Sequence, residues 1–383
     1  MKTFDVAIAG GGIIGASIAF ELAAEKLKVV LLDRQQPGTE ASWAAAGMLS
    51  PGPDSEEAIP LVPLGMESLR LYHEFITALE ETSGLTTEFD RKGTLQVFSA
   101  PRAEADREWM IKEFRRANQK IEPLSEDAAR KREKHLGPAV GVAAFLPEEA
   151  TLDPRLLIKA CLAAAERRGV EIRPGCEVDS VMEDAGRCTG IVAGTEKILA
   201  ENVVVAAGSS SAGIPSLARY APTRPVRGQM LALRSRDIRL ERVVRSEKGY
   251  LVPRRDGRII AGSTLEDAGF QRSITPGGMR QILDGVLELV PGLANAEIVE
   301  TWSGLRPGTP DALPILGPTD VKGLFMATGH YRNGILLAPV TAKLLRNWIV
   351  DEKISVNTEL FSPLRFSAAL GGNEKRKGAA TLP

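Results

Sequence analysis

Four glycines within six residues, Gly10-Gly11-Gly12-Ile13-Ile14-Gly15, interrupt an otherwise apolar stretch near the start of the chain. A β-rich run, 4–9, precedes them, and a run with helical apolar spacing (Ile14, Ile18, Leu22) follows. A second β-rich run, 29–32, ends at Asp33. Strand, glycine turn, helix, strand and acid in that order form the pattern of a dinucleotide-binding βαβ unit. Gly10 permits the tight turn, Gly12 lets the backbone approach a pyrophosphate, and Gly15 lets the helix pack closely on the strand. The helix start at Ile13 and Ile14 offers free N–H groups and a partial positive charge to phosphates. Asp33 can accept both ribose hydroxyls of an adenosine, and Arg34 can flank the adenine.

The chain is long enough, at 383 residues and 44% apolar, to bury a large core in two or three compact units. Lys and Arg number 48 against 49 acidic residues, which leaves no electrostatic footprint for nucleic acid or an acidic membrane surface. No segment approaches the ~20 continuous apolar residues of a membrane helix. The apolar stretch 6–20 has the composition of a signal h-region, but Asp5 and the glycines fit a strand and turn better. The three cysteines, Cys161, Cys176 and Cys188, are odd in number and lack CxxC spacing. That argues against a disulfide framework or structural zinc and leads us to expect a reducing, cytoplasmic setting.

Two later stretches, 201–208 and the apolar run 324–327 with the two residues after it, read as buried strands ending in Ala-Ala-Gly and Ala-Thr-Gly. Both can line one nucleotide crevice, because in such sheets ligands gather beyond the carboxyl ends of the strands. After the second comes Gly329-His330-Tyr331-Arg332-Asn333-Gly334 and then a run with helical spacing. A helix beginning at Gly334, Ile335 and Leu336 can aim its N–H groups at the N1–C2=O edge of a flavin, where negative charge accumulates on reduction. Pro339 is consistent with a helix start. Upstream, in Ser-Trp-Ala-Ala-Ala-Gly-Met-Leu at 42–49, Ser42 can cap a helix or donate to a pyrophosphate oxygen. Small residues through Ala46 and Gly47 permit backbone to approach a flat ring, with Met48 beside it. The plainer alternative is an alanine-rich helix start. Runs at 228–235, 250–262 and 296–305 read as antiparallel strands, with Arg255-Asp256-Gly257 as a hairpin turn.

The glycine fingerprint, residues 42–49, Gly-Leu-Arg-Pro-Gly-Thr-Pro-Asp-Ala-Leu-Pro-Ile-Leu-Gly at 304–317 and the segment 329–339 together resemble the D-amino-acid oxidase family of flavoproteins. The likeness spans about residues 3–350 and is strongest to the family's bacterial glycine-oxidising branch, linked to thiamine synthesis. It implies a mixed α/β fold in which a Rossmann-like FAD-binding domain is interleaved with an antiparallel-sheet substrate domain. The first is expected over 1–85, 145–220 and 300–365, the second over 86–144 and 221–299, and 366–383 reads as a disordered tail. FAD is expected to be noncovalent: Ala44 stands where relatives carry a tethering His, and the cysteines lie away from the C-terminal site used by others. The resemblance also places the main chain of Val178, which closes an expected strand 171–178, on the adenine side.

Arg306, held extended by Pro307, can present its planar fork to a substrate carboxylate. Equally it can pair with Asp311 or Glu300. The resemblance implies the substrate role, with Arg332 closing from the other side and Tyr250 adding a phenolic O–H, although a lone Tyr is often only a boundary residue. His330, Tyr331 and Asn333 are expected to touch flavin, His330 through its backbone, with a general-base role for its ring as the alternative. The activity implied is oxidative deamination of glycine or another small amine, with oxygen reduced to hydrogen peroxide and the imine feeding thiazole assembly. Sarcosine, D-alanine or D-proline as substrate, a dehydrogenase serving a quinone, and a flavin-carrying scaffold are the rivals. Relatives suggest a homotetramer.

Overall fold

The computed structural model describes residues 3–367 apart from 54, 100 and 355. Its first sheet runs in the order Ile315–Pro318, Leu324–Thr328, Glu196–Val205, Thr3–Ala9, Val29–Asp33, Glu171–Pro174. From Leu324–Thr328 to Glu171–Pro174 every pairing is parallel. A parallel sheet must be covered on both faces, and these strands are accordingly apolar on both. Helices Ile13–Ala24, Val62–Ser83, Pro154–Arg167 and Gly334–Ile349 pack on one face. The antiparallel strands Ser180–Asp184 and Arg187–Ala193 extend the sheet from Glu196–Val205, and Cys188 and Ile191 join the core on the other face.

The second sheet has eight strands, ordered Glu297–Gly308, Arg224–Arg234, Arg258–Gly262, Gly249–Pro253, Val243–Ser246, Thr94–Phe98, Val142–Leu146, Glu122–Leu124. The expected hairpin is present, closing through Gly257 (φ 86°), whose N–H reaches Arg254 C=O at 3.1 Å. Side chains alternate with the strand period: Leu231, Leu233 and Leu251 pack under helix Pro276–Leu289, while Met230, Ala232 and Tyr250 face the other way. The boundary expected at 300 falls inside Glu297–Gly308, which pairs along almost its whole length with Arg224–Arg234.

Three local expectations change. The strand expected over 171–178 stops at Pro174, so Val178 lies in the irregular segment before Ser180. Pro339 lies in the second turn of Gly334–Ile349, not near its first position, and removes the donor that Ile335 C=O would have had. The Tyr72 hydroxyl, reaching over from Val62–Ser83, donates to that carbonyl instead, and the Ser68 hydroxyl donates to Leu336 C=O at 2.6 Å. The tail expected from 366 begins inside the short helix Leu364–Ser367, and the rest of it lies outside the described residues. Among the described residues no helix is long and apolar enough to cross a membrane.

Candidate active site

The strands Thr3–Ala9, Glu196–Val205 and Leu324–Thr328 point the same way, so their carboxyl ends bring Gly10, Ala206 to Gly208 and His330 to one rim. A cavity of about 1220 Å³ opens there and is lined by both sheets. Pockets for small ligands usually measure ~300–1,000 Å³, so this one has room for a dinucleotide and a small second molecule.

At one end of this cavity two of the glycines are needed for close packing. Gly10 has φ 108°, and a Cβ there would meet Ala206 O at 2.4 Å; a Cβ on Gly15 would meet Gly10 O at 1.9 Å. Gly15 therefore serves helix packing and does not itself line the cavity, whereas Gly10, Gly12, Ile13 and Ile14 do. Ser42 neither caps its own short helix, Ala41–Ala44, which begins after Glu40, nor lies idle. Its hydroxyl accepts from Ile13 N–H at 2.9 Å, which pins residues 41–48 to the glycine turn and leaves the hydroxyl proton for a ligand. Asp33 accepts from Gly11 N–H and Gln35 N–H, both at 2.8 Å, so it braces the turn while lining the cavity. Arg34, paired with Glu40 at 3.3 Å, and Val178 line the same end. Cys176, which the sequence gave no reason to place here, lines it too, its N–H on Asp33 C=O at 2.7 Å.

Residues 42–48 form the middle wall. The helix breaks at Ala45 (ψ 154°), so the alanines do not continue as a helix. Ala44 rests on Gly304, where a Cβ would approach its own Cβ to 2.5 Å, and its carbonyl accepts from Trp302 Nε1 at 3.1 Å. Gly47 (φ 76°) leaves no room for a side chain against Leu152 O, and Ala46 and Met48 also line the cavity.

Opposite lies the turn 329–334. Tyr331 sits at φ 48°, a conformation rare outside glycine and kept where surroundings over-determine it. Its N–H is held by Pro307 C=O at 3.0 Å, and Asn333 N–H by His330 C=O at 2.8 Å. Asn333 makes no side-chain cap, and the first intrahelical donor is Leu337 N–H. The N–H groups of Gly334, Ile335 and Leu336 therefore precede the helix's own bonds, at a positive end with no acidic residue in its first turn. The Leu336 side chain itself is buried in the core and does not line the cavity. The His330 ring is buried and bonded through Nε2 to Thr341 Oγ1 at 3.0 Å. Burial pushes its pKa down to about 3, so the ring stays neutral and holds a proton too weakly for the general-base alternative.

On the antiparallel sheet the register sets Gln96, Arg245, Tyr250, Gly262, Met230 and Trp302 in one cross-strand row. Tyr250 donates to Met230 Sδ at 3.2 Å, a weak acceptor. Arg245 is tied to Gln96 at 2.7 Å and to buried Glu149 at 3.4 Å. Arg306 takes neither of the ion pairs open to it in sequence. Glu300 is held by Arg155 at 2.9 Å and Asp311 by Arg365 at 2.8 Å. Arg306 instead donates to Thr264 C=O at 3.2 Å and Ser263 Oγ at 2.7 Å, lying flat over Gly228. Both acceptors are neutral, and among the described residues no carboxylate pairs with Arg306, so its charge is left facing the cavity. Arg332, exposed beside the Tyr331 ring, lines the same space.

A glycine turn opening a helix whose first N–H is held by Ser42, a second helix end with no side-chain cap, and an arginine bonded to neutral acceptors line one cavity. A family model described as FAD dependent oxidoreductase (DAO) matches residues 5–348. The chain belongs to this FAD-dependent oxidoreductase family. Among DAO relatives, it is 37% identical over 95% of its length to the bifunctional protein ThiO/ThiG of Synechocystis sp., covering 54% of that protein. The chain thus spans about half the length of such bifunctional relatives. It is 32% identical to the glycine oxidase of Pseudomonas putida, across 94% of this chain and 98% of that one. The crystal structure of glycine oxidase from Geobacillus kaustophilus superposes with a TM-score of 0.91 at 31% identity, covering 95% of this chain and 99% of the other.

Proposed function

We propose that this oxidoreductase binds FAD noncovalently and oxidises glycine to its imine, which hydrolyses to glyoxylate and ammonia, with oxygen as the final acceptor. The observation that carries the reading is Arg306: its guanidinium, oriented by neutral acceptors only, faces the cavity with its charge uncompensated. A carboxylate entering there gains a charge-assisted pair without first displacing a competing acid. Tyr250 can exchange its weak sulfur partner for a carboxylate oxygen. Arg332 reaches the same space from the opposite wall.

For the cofactor, Gly12, Ile14 and the Ser42 hydroxyl, itself anchored on Ile13 N–H, would hold the pyrophosphate, Asp33 and Arg34 the adenosine, the 44–48 wall the ring face, and Gly334 to Leu336 its polar edge. Val178 would contribute main chain on the adenine side, and His330, Tyr331 and Asn333 would meet the ring through the turn they build. Bound there, FAD supplies the acceptor for the electrons leaving the α-carbon and the route by which they reach oxygen. Met48 and Met230 would give the reacting amine an apolar wall, and His330, neutral and tied to Thr341, leaves the amine to react in its unprotonated form. Noncovalent binding is supported by Ala44, packed on Gly304 with no nucleophile of its own, and by Cys176 standing beside Asp33 with its thiol pKa raised by burial.

Sarcosine, D-alanine or D-proline are the alternative substrates, each carrying the carboxylate that Arg306 would meet. By the family resemblance the imine would feed thiazole assembly. Anaerobic addition of glycine, sarcosine or D-alanine to the yellow holoprotein should bleach the flavin, and readmitting oxygen should yield stoichiometric peroxide. No bleaching by any of the three would overturn the oxidase reading, and bleaching without peroxide would make the protein a dehydrogenase.

A further inference from the structure

Arg306 is held by two residues of the segment that follows strand Arg258–Gly262, and that segment is itself held from behind. The Thr264 hydroxyl accepts from Gln229 N–H at 2.9 Å and donates to the Glu266 carboxylate. Glu266 takes a further donor from Gln229 Nε2 at 2.8 Å and pairs with Arg227, whose side chain is 7% exposed. Backbone bonds between Arg227 and Glu266, at 2.9 and 3.0 Å, lock the same stretch to the neighbouring strand. Burial would raise the Glu266 carboxyl, but the hydrogen bonds from Arg227, Thr264 and Gln229 overcome it and hold the group below its usual range.

We propose that Glu266 and Thr264 are positioning residues for Arg306, forming a relay that aims the guanidinium at the substrate carboxylate without neutralising it. The inference rests on the reading of Arg306 as the carboxylate-binding residue. The physical point is the order of the contacts. An acid bonded directly to Arg306 would fix its direction but compete with the substrate for the same fork. Placed one residue back, the charge of Glu266 is absorbed by Arg227, and the hydrogen-bond acceptors of Arg306 among the described residues are the neutral Thr264 carbonyl and Ser263 hydroxyl. Rigidity is then transmitted and charge is not. A preorganised arginine loses less side-chain freedom on binding, which appears in affinity for the carboxylate.

The test uses the FAD-loaded protein with acetate as a carboxylate lacking an amine, its binding read from the visible flavin spectrum, and ethylamine as an amine lacking a carboxylate. Thr264→Val removes the hydroxyl and Thr264→Ser retains it, while Glu266→Gln removes the charge. Thr264→Val and Glu266→Gln should each weaken acetate about ten-fold, the scale of one hydrogen bond, and raise KM for glycine with little change in limiting reduction rate. Thr264→Ser should match the parent, and ethylamine reduction should be unchanged in all three. If Glu266→Gln fails to fold, the Thr264 pair decides. Parent-like acetate binding in Thr264→Val, or equal losses with ethylamine, overturns the relay while the carboxylate reading stands, provided Arg306→Met does lose acetate. Parent-like acetate binding in Arg306→Met removes the carboxylate reading and the relay with it.

Discussion

Gly228 offers a way to move Arg306 without altering it. A Cβ at this position would lie 2.2 Å from one terminal nitrogen of Arg306, 2.3 Å from the other and 2.4 Å from Cζ. Nonbonded heavy atoms settle near ~3.5 Å, so Gly228→Ala must displace the guanidinium by about 1.3 Å, the difference between 3.5 and 2.2. The obstructing atoms are the end of a flexible side chain, and Gly228 sits in a regular strand, so the side chain yields and the fold does not. Losing the aim of a charge-assisted pair costs about 1.5–3 kcal/mol, or roughly 10- to 100-fold in kcat/KM for glycine. FAD content and thermal midpoint should stay at parent values. The assay is anaerobic flavin reduction in stopped flow, with glycine and with ethylamine, after FAD occupancy has been matched. Parent efficiency with glycine, or an equal loss with ethylamine, would refute the reasoning, since neither fits an arginine whose position matters to a carboxylate.

Tyr72→Phe leaves the buried Ile335 carbonyl without the donor that replaces the one missing at Pro339, and should cost about 1–3 kcal/mol in denaturant unfolding. For His330, the folded pKa of about 3 lies below the ordinary 6.5, so the unfolded chain binds more protons between these values. Its contribution to stability is complete above pH 6.5 and declines as pH falls toward 3, by up to about 1.4 kcal/mol per unit, and His330→Gln should lose that part of the slope in acid unfolding. The same variant should retain the rise of flavin reduction with pH, since the ring is not the base. Acid precipitation should release free FAD into the supernatant, because Ala44 provides no attachment point; colour kept in the denatured pellet would contradict this.

How much was legible in the sequence follows from how far each contact reaches along the chain. The glycine turn was in part, because Gly15 answers to the Gly10 carbonyl within the same unit, whereas Gly10 packs on Ala206 and Gly12 on the Ser42 hydroxyl, both from beyond it. The antiparallel strands were, because each is a short β-rich run and Arg255-Asp256-Gly257 marks the turn between two of them. The row Arg245, Tyr250, Gly262, Met230 was not: its members come from four strands, and alternation fixes which face each occupies but not which residue stands opposite. The partner of Ser42 was hidden for the same reason, since Ile13 N–H lies 29 residues away. Pro339 looked like a helix start because the hydroxyl that tolerates it deeper in the helix belongs to Tyr72, 263 residues before the carbonyl it serves.

Arg306 shows what this limit means for finding function. With 48 basic residues against 49 acidic ones, an arginine near Glu300 and Asp311 has every electrostatic reason to be paired. Its availability is decided elsewhere. Arg155, stacked at 3.5 Å over Trp43, takes Glu300 with a bidentate grip, and Arg365, from the end of the described chain, takes Asp311. Those side chains satisfy the two acids nearest to Arg306 in sequence, and the extended strand itself sets Glu300 six residues, about 20 Å, away from Arg306. The neutral pair Thr264 and Ser263 then supplies direction. Such a site is specified as much by the satisfaction of its neighbours' charges as by the residue that meets the substrate, and a motif reading sees only the latter.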